Sequence, residues 1–138
     1  MQGYIQDCGP NPFVTDISRA TLANCNFRTT LWTGTHLQAT LMCIPAGSEI
    51  GLEVHPDTDQ FLRVESGCGC AMMGPRQCAL HCRCPVKDGS AIFVPACTWH
   101  NVVNTGCGPL KLYSIYAPPH HPHGTVHRTK AQADAEGD

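Results

Sequence analysis

The sequence predicts an all-β fold, a sandwich or barrel of about nine short strands. Gly 13 and Pro 11 among 138 residues punctuate the chain evenly, so turns separate many short elements. The runs between them are rich in β-branched and aromatic residues. No long segment carries a helical period, so nothing is available to make parallel crossovers.

The elements follow in order. Residues 15–23 predict one or two helical turns, with Thr15 or Asp16 as cap and Ile17, Ala20 and Leu22 as the apolar face. Strands are then expected at FRTTLW, LQATLMCI, IGLEV, QFLRVE, GCGCAMM, LHCRCPV, AIFV, HNVVN and PLKLYSIY. Turn signals part them, among them PAG at 45–47, PDTD at 56–59, DG at 88–89 and GCGP at 106–109. APPHHPH cannot pair as a central strand and AQADAEGD has little to bury, so the end of the chain predicts an extended arm and a frayed tail. The whole, residues 1–138, reads as one domain: an N-terminal arm and short helix over 1–30, a barrel over 31–117, and a C-terminal arm over 118–138.

Charge and composition exclude several classes. Nine Lys+Arg stand against eleven Asp+Glu, a net charge of -2 with no basic stripe, so nucleic acid is not an expected partner. No run of eighteen apolar residues and no export-type opening is present, so the expectation is a cytoplasmic protein off the membrane. Ten cysteines would suit a disulfide scaffold in a short secreted chain, but this length builds its own core and free thiols are the default. Cys68, Cys70, Cys82 and Cys84 would lie close together on a hairpin about Gly74 and Pro75, which leaves zinc, a disulfide or ordinary small apolar thiols open.

Two segments carry chemistry. In GSEIGLEVHPDTDQFLRVESG, Glu53 and His55 are two apart in an expected strand, so both point to one face and could hold one ion. With Leu62 and Val64 placed inward, Gln60 is inward too; a slip of register would substitute Asp59. In GSAIFVPACTWHNVVN, a strand ends at Pro95 and His100 opens the next, where it could complete the site.

These segments resemble the cupin motifs. The first fits G(X)5HXH(X)4E(X)6G from Gly47 to Gly67, with Glu53 in place of the first His and Gln60 in place of Glu. The second fits G(X)5PXG(X)2H(X)3N from Gly89 to Asn104, with Cys97 in place of Gly. LWTG, PACTWHNVVNTG and PLKLYSIYAPP also look like small cupins labelled mannose-6-phosphate isomerase-like. The resemblance implies a cupin double-stranded β-helix, a jelly-roll barrel whose cup holds one divalent metal on Glu53, His55, Gln60 and His100. That mixed N/O set suits Mn, Fe, Ni, Co or Zn.

The expected partner is a small molecule in the cup, and the expected assembly is a homodimer with FRTTLW as the segment exchanged between subunits. Tyr116 faces inward by parity and is a candidate proton donor; His123 or His127 could reach back over the mouth as acid, base or substrate contact. His120 and His121 are expected in solvent, as are His36 and His81; Trp32 and Trp99 are expected to pack. The core strands offer no clear inward Lys or Arg, so Arg128, Lys130 and the tail histidines are the available anion clamp. Function is open among a sugar or sugar-phosphate isomerase-like enzyme, an Fe or Mn oxygenase or lyase, and a binding module without turnover.

Overall fold

The computed structural model describes residues 5–137 and shows nine strands and two short helices in that span. The strands are β1 Arg28–Thr33, β2 Gln38–Ile44, β3 Asp59–Ser66, β4 Cys68–Gly74, β5 Cys82–Lys87, β6 Ala91–Val94, β7 Trp99–Asn104, β8 Leu110–Ala117 and β9 Val126–His127. The helices are α1 Ile17–Ala23 and α2 Lys130–Ala135. One sheet runs β6-β3-β8-β2-β1-β9 and the other β5-β4-β7, all pairs antiparallel, as a jelly roll requires.

Alternation along the strands decides what faces the interior. On β8, Leu110, Leu112, Ser114 and Tyr116 are buried. Register carries that face across the sheet: Tyr116 opposes Gln38 and Gln60, Ser114 opposes Thr40 and Leu62, and Leu112 opposes Met42 and Val64. The lower barrel is therefore apolar, with Met42, Ile44, Leu62, Val64, Val102 and Leu112 in one cluster, while its upper layers are polar. A second cluster lies on the outer face of the large sheet, where Leu31, Ala39 and Leu41 are covered by Ile5, Ile17, Ala20 and Trp32. This is why β1 and β2 are buried on both faces over most of their length.

Asp16 is the N-cap of α1, accepting from Arg19 N. Ile17 and Ala20 pack as expected, but Leu22 is exposed and Thr21 is the buried residue instead. The expected strand IGLEV is not regular. Glu49 bridges Val103 and Glu53 bridges His100, so four residue steps on this strip match three on β7. Gly51 absorbs the extra residue at φ 112, a conformation a side chain would strain. As a result Ile50, buried in the core, and Glu53 both face inward although they are three apart.

The two ends of the chain also differ from expectation. The strand expected at FRTTLW is β1, which begins inside the segment read as an arm and pairs in its own chain with β2 and, at Arg28 and Thr29, with β9. The C-terminal segment is more than an extended arm: it adds β9 and then α2, whose Ala133 is 1% exposed and joins the core. A small residue on a short helix was enough to dock it, which composition hid. In the hairpin, Cys68 and Cys70 oppose Lys87 and Pro85 while Cys82 and Cys84 oppose Met73 and Ala71, so the two pairs lie on opposite faces and do not converge on one ion.

Candidate metal centre

Glu53, His55 and His100 meet at the open end of the barrel, and each offers a ligand atom within 4.8 Å of the others. Glu53 Oε1 lies 3.3 Å from His55 Nε2 and 3.5 Å from His100 Nε2. Donors about 2.1 Å from a shared ion stand roughly 3 to 3.5 Å apart, so these separations fit a first coordination sphere. His55 and His100 are buried, and Glu53 is the partly open member, facing a cleft of about 620 Å³.

The protonation pattern also suits a cation. His100 Nδ1 is 2.9 Å from the Thr98 carbonyl, which can only accept, so Nδ1 carries the hydrogen. His100 Nε2 is then left buried, as a lone pair, with no hydrogen-bond partner. Burial pushes the Glu53 carboxyl up, but protons on His100 and His55 at the positions a cation would take outweigh that and hold it well below the usual carboxylate range. An ionised carboxylate and two imidazole nitrogens are an N/O donor set for a divalent transition metal.

Gln60 stands on β3 with its side chain buried: Nε2 donates to Ser114 Oγ at 2.8 Å, and Oε1 is buried without a partner. Asp59 is not in the cluster; it is exposed and accepts from Ala96 N, closing the turn after β6. Cys97 occupies the glycine position of that turn at φ 64, its N–H bonded to the His55 carbonyl and its thiol to the Pro56 carbonyl. The turn keeps its shape and the left-handed conformation is imposed on a side chain.

The family of Cupin domain proteins matches residues 40–116, more than half of the chain. The chain is a cupin. It is 60% identical to the uncharacterized protein YrkC of Bacillus subtilis over 134 residues, which is 97% of this chain and 72% of YrkC. The crystal structure of BH2720 from Bacillus halodurans is 62% identical, superimposes with a TM-score of 0.94, and is covered to 99% by 95% of this chain. Likeness to oxalate decarboxylase of Bacillus subtilis, with its Mn(II) centres, is of fold alone: 21% identity and a TM-score of 0.58, over 64% of this chain and 23% of that one.

Around the cluster, this cupin places other histidines than the sequence suggested. Tyr116 is 1% exposed, with its ring 5.9 Å from that of His55, edge-on, and its hydroxyl 3.3 Å from His121 Nε2. His123 is not brought to the cup: its Nε2 lies 2.8 Å from the Gly9 carbonyl and 3.2 Å from Asp7. Asp7 is the reason, since its carboxylate also binds Gly9 N, Thr33 and Gly124 N and so ties the N-terminal segment, β1 and the arm together. His127 is buried on β9, between Arg28 NH1 at 3.1 Å and Glu136 Oε1 at 3.2 Å.

Of the pair expected in solvent, His120 is exposed yet stands at the mouth, and His121 is buried there. The His120 ring lies 4.1 Å from His55, and His121 is 5% exposed. Gln38 causes this: its Oε1 accepts from His120 N and His121 N, and its Nε2 donates to the His121 carbonyl. The signal was a glutamine at an inward position of β2, which needs polar partners that strands cannot give. Arg28 is also inward on β1 and 2% exposed, although Phe27 and Leu31, of opposite parity, mark the other face as the apolar one. Of the other expected cations, Arg128 is exposed, and Lys130 lines the cleft but is bonded to Asp134 at 2.9 Å.

Proposed function

We propose that this cupin is a cytoplasmic, metal-dependent enzyme acting on a small oxygenated metabolite, isomerase-like toward a sugar or sugar phosphate. The observation that carries the reading is the convergence of Glu53, His55 and His100, with His100 Nε2 left as a buried lone pair. Gln60 Oε1 is the fourth donor in this reading, since it is buried, polar and unpartnered. A bound divalent cation would polarise a carbonyl or hydroxyl oxygen of the ligand.

The chain's own residues supply the rest. Tyr116 holds a proton at its hydroxyl against His121 Nε2 and is the proton donor of the proposal. Burial first, then the nearby Arg28 and His120, push the His121 pKa down to about 2, so this imidazole is neutral at physiological pH and serves as an uncharged partner to Tyr116. His120 lies over His55 and Tyr116 and shields the cluster from bulk water. A homodimer belongs to the same reading, supported by Phe93, 69% exposed on edge strand β6 beside Phe61.

The test is elemental analysis of chelator-free protein beside His55→Ala and His100→Ala. One equivalent of a transition metal in the native protein and less than a tenth in either variant is the expected result. Solvent deuterium then entering a bound aldose or ketose marks isomerase chemistry. A native protein that takes up no metal overturns the proposal, and a loaded one that binds sugars without exchange reduces it to a binding module.

A further inference from the structure

The barrel interior carries a second polar pole. Buried side-chain atoms without a hydrogen-bond partner include Arg28 Nε, Thr40 Oγ1, Gln60 Oε1 and His100 Nε2, and all four residues lie on inward faces. Such atoms are rare in folded proteins because each forfeits its hydration. They sort by sign. Gln60 Oε1 and His100 Nε2 are acceptors and stand at the Glu53 end; Arg28 Nε is a donor and Thr40 can donate, and both stand on the β1–β2 side.

Arg28 is the informative member. A guanidinium keeps its proton wherever it is buried, so it must be compensated by a neighbour. Among the described residues no carboxylate lies within 4 Å of it. Its NH1 donates to His127 Nδ1 at 3.1 Å, and the charge that could answer it, Glu136, is one imidazole further away with a side chain 55% exposed to water. The contact with the Phe27 ring, 5.3 Å from Cζ, does not answer the in-plane Nε–H.

We propose that Arg28 is the anion-binding group of the cup, and that the ligand is a small organic oxyanion whose charged end lies on Arg28 while its hydroxyl or carbonyl end faces Glu53, His55 and His100. The second half rests on the metal reading above; the first does not. Three interstrand spacings separate β1 from β3 along the sheet, about 14 Å, and Arg28 stands level with Met42, below the Gln38–Tyr116–Gln60 layer, so its long side chain carries the guanidinium toward the ligand. Charge agrees: Glu49, Glu53 and Asp134 against Lys130 and Arg28 leave one negative charge, so a bound divalent ion makes the cup positive by about one charge, which a monoanion answers. His121 feels both poles: burial first, then Arg28, moves its pKa down and Glu53 moves it up. Thr40, diagonal to Arg28 through the Thr30–Thr40 pair, adds a hydroxyl on the same wall.

The probes are glycolate and its uncharged counterpart ethylene glycol, titrated calorimetrically at low salt into the metal-loaded native protein, Arg28→Lys and Arg28→Met. Glycolate is expected to bind the native protein at least tenfold more tightly than the diol, to lose that factor in Arg28→Met and to keep part of it in Arg28→Lys, with metal content unchanged in all three. Should Arg28→Met not fold, the native preference and Arg28→Lys decide. Equal binding of the two probes, or glycolate affinity untouched by either substitution, overturns the proposal. The same titration on metal-free His100→Ala separates the readings: residual glycolate binding there supports Arg28 even if the native protein holds no metal, and its absence alongside a failed metal analysis removes both.

Discussion

The metal corner and the arginine corner of the barrel are built in opposite ways. Glu53, His55 and His100 come from two short segments joined by the Glu53–His100 bridge, and turn residues inside those segments set their direction. Arg28 instead meets His127 across 99 residues, and the strand that presents His127 is two residues long and held down by α2. The first corner has its instructions close together in sequence; the second exists only when both ends of the chain have docked. Short-range instruction survives local damage, whereas a corner assembled from chain ends depends on every contact that holds them.

The largest way to break the comparison is Ala133→Asp, which puts an unpaired carboxylate where α2 meets the core. The expected loss is about 3 kcal/mol, read as a midpoint lowered by roughly 10 °C in a thermal melt. Metal content measured well below that midpoint is expected to be unchanged; its loss would show that the corners are not independent.

An intermediate effect comes from His121, which feels the charges of both corners. Its native pKa is pushed from 6.5 down to about 2, so between those values the unfolded chain binds a proton that the native state refuses. Stability therefore rises with pH across that window by roughly 1 kcal/mol per unit and levels off above 6.5. Denaturant melts at several acid pH values should show this slope, and His121→Phe should flatten it by that amount. An unflattened slope would place the proton on His121 in the native state.

The smallest effect sharpens the metal corner. Cys97→Gly relieves a left-handed residue at φ 64 but frees the unfolded chain, so a gain of about 0.5 to 1 kcal/mol is expected, with metal content unchanged. A loss of stability would mean that the thiol bond to the Pro56 carbonyl outweighs the backbone strain.

What could be read from the sequence divides along the same line. Gly47, Glu53, His55, Gly67, Pro95 and His100 lie at fixed spacings, and spacing is visible without a fold. Tyr116 and Gln60 followed from strand parity because β8 and β3 are regular on their inward faces. The bulge at Gly51 was not legible, since it depends on where β7 lies beside it. Nor was the choice between the His120–His121 and His123–His127 pairs, which Gln38 and Asp7 make from distant strands. Arg28 lay in a segment assigned half to an arm, and only β9 gives its face a neighbour.

The lateness of β9 matters for how the chain is made. Arg28 leaves the ribosome 99 positions ahead of His127. At roughly 5 to 20 residues per second, the guanidinium waits about 5 to 20 seconds of translation for the imidazole that receives it. Glu53, His55 and His100 all emerge before β9 does, so the metal corner can assemble while the wall that carries Arg28 still waits for its last strand.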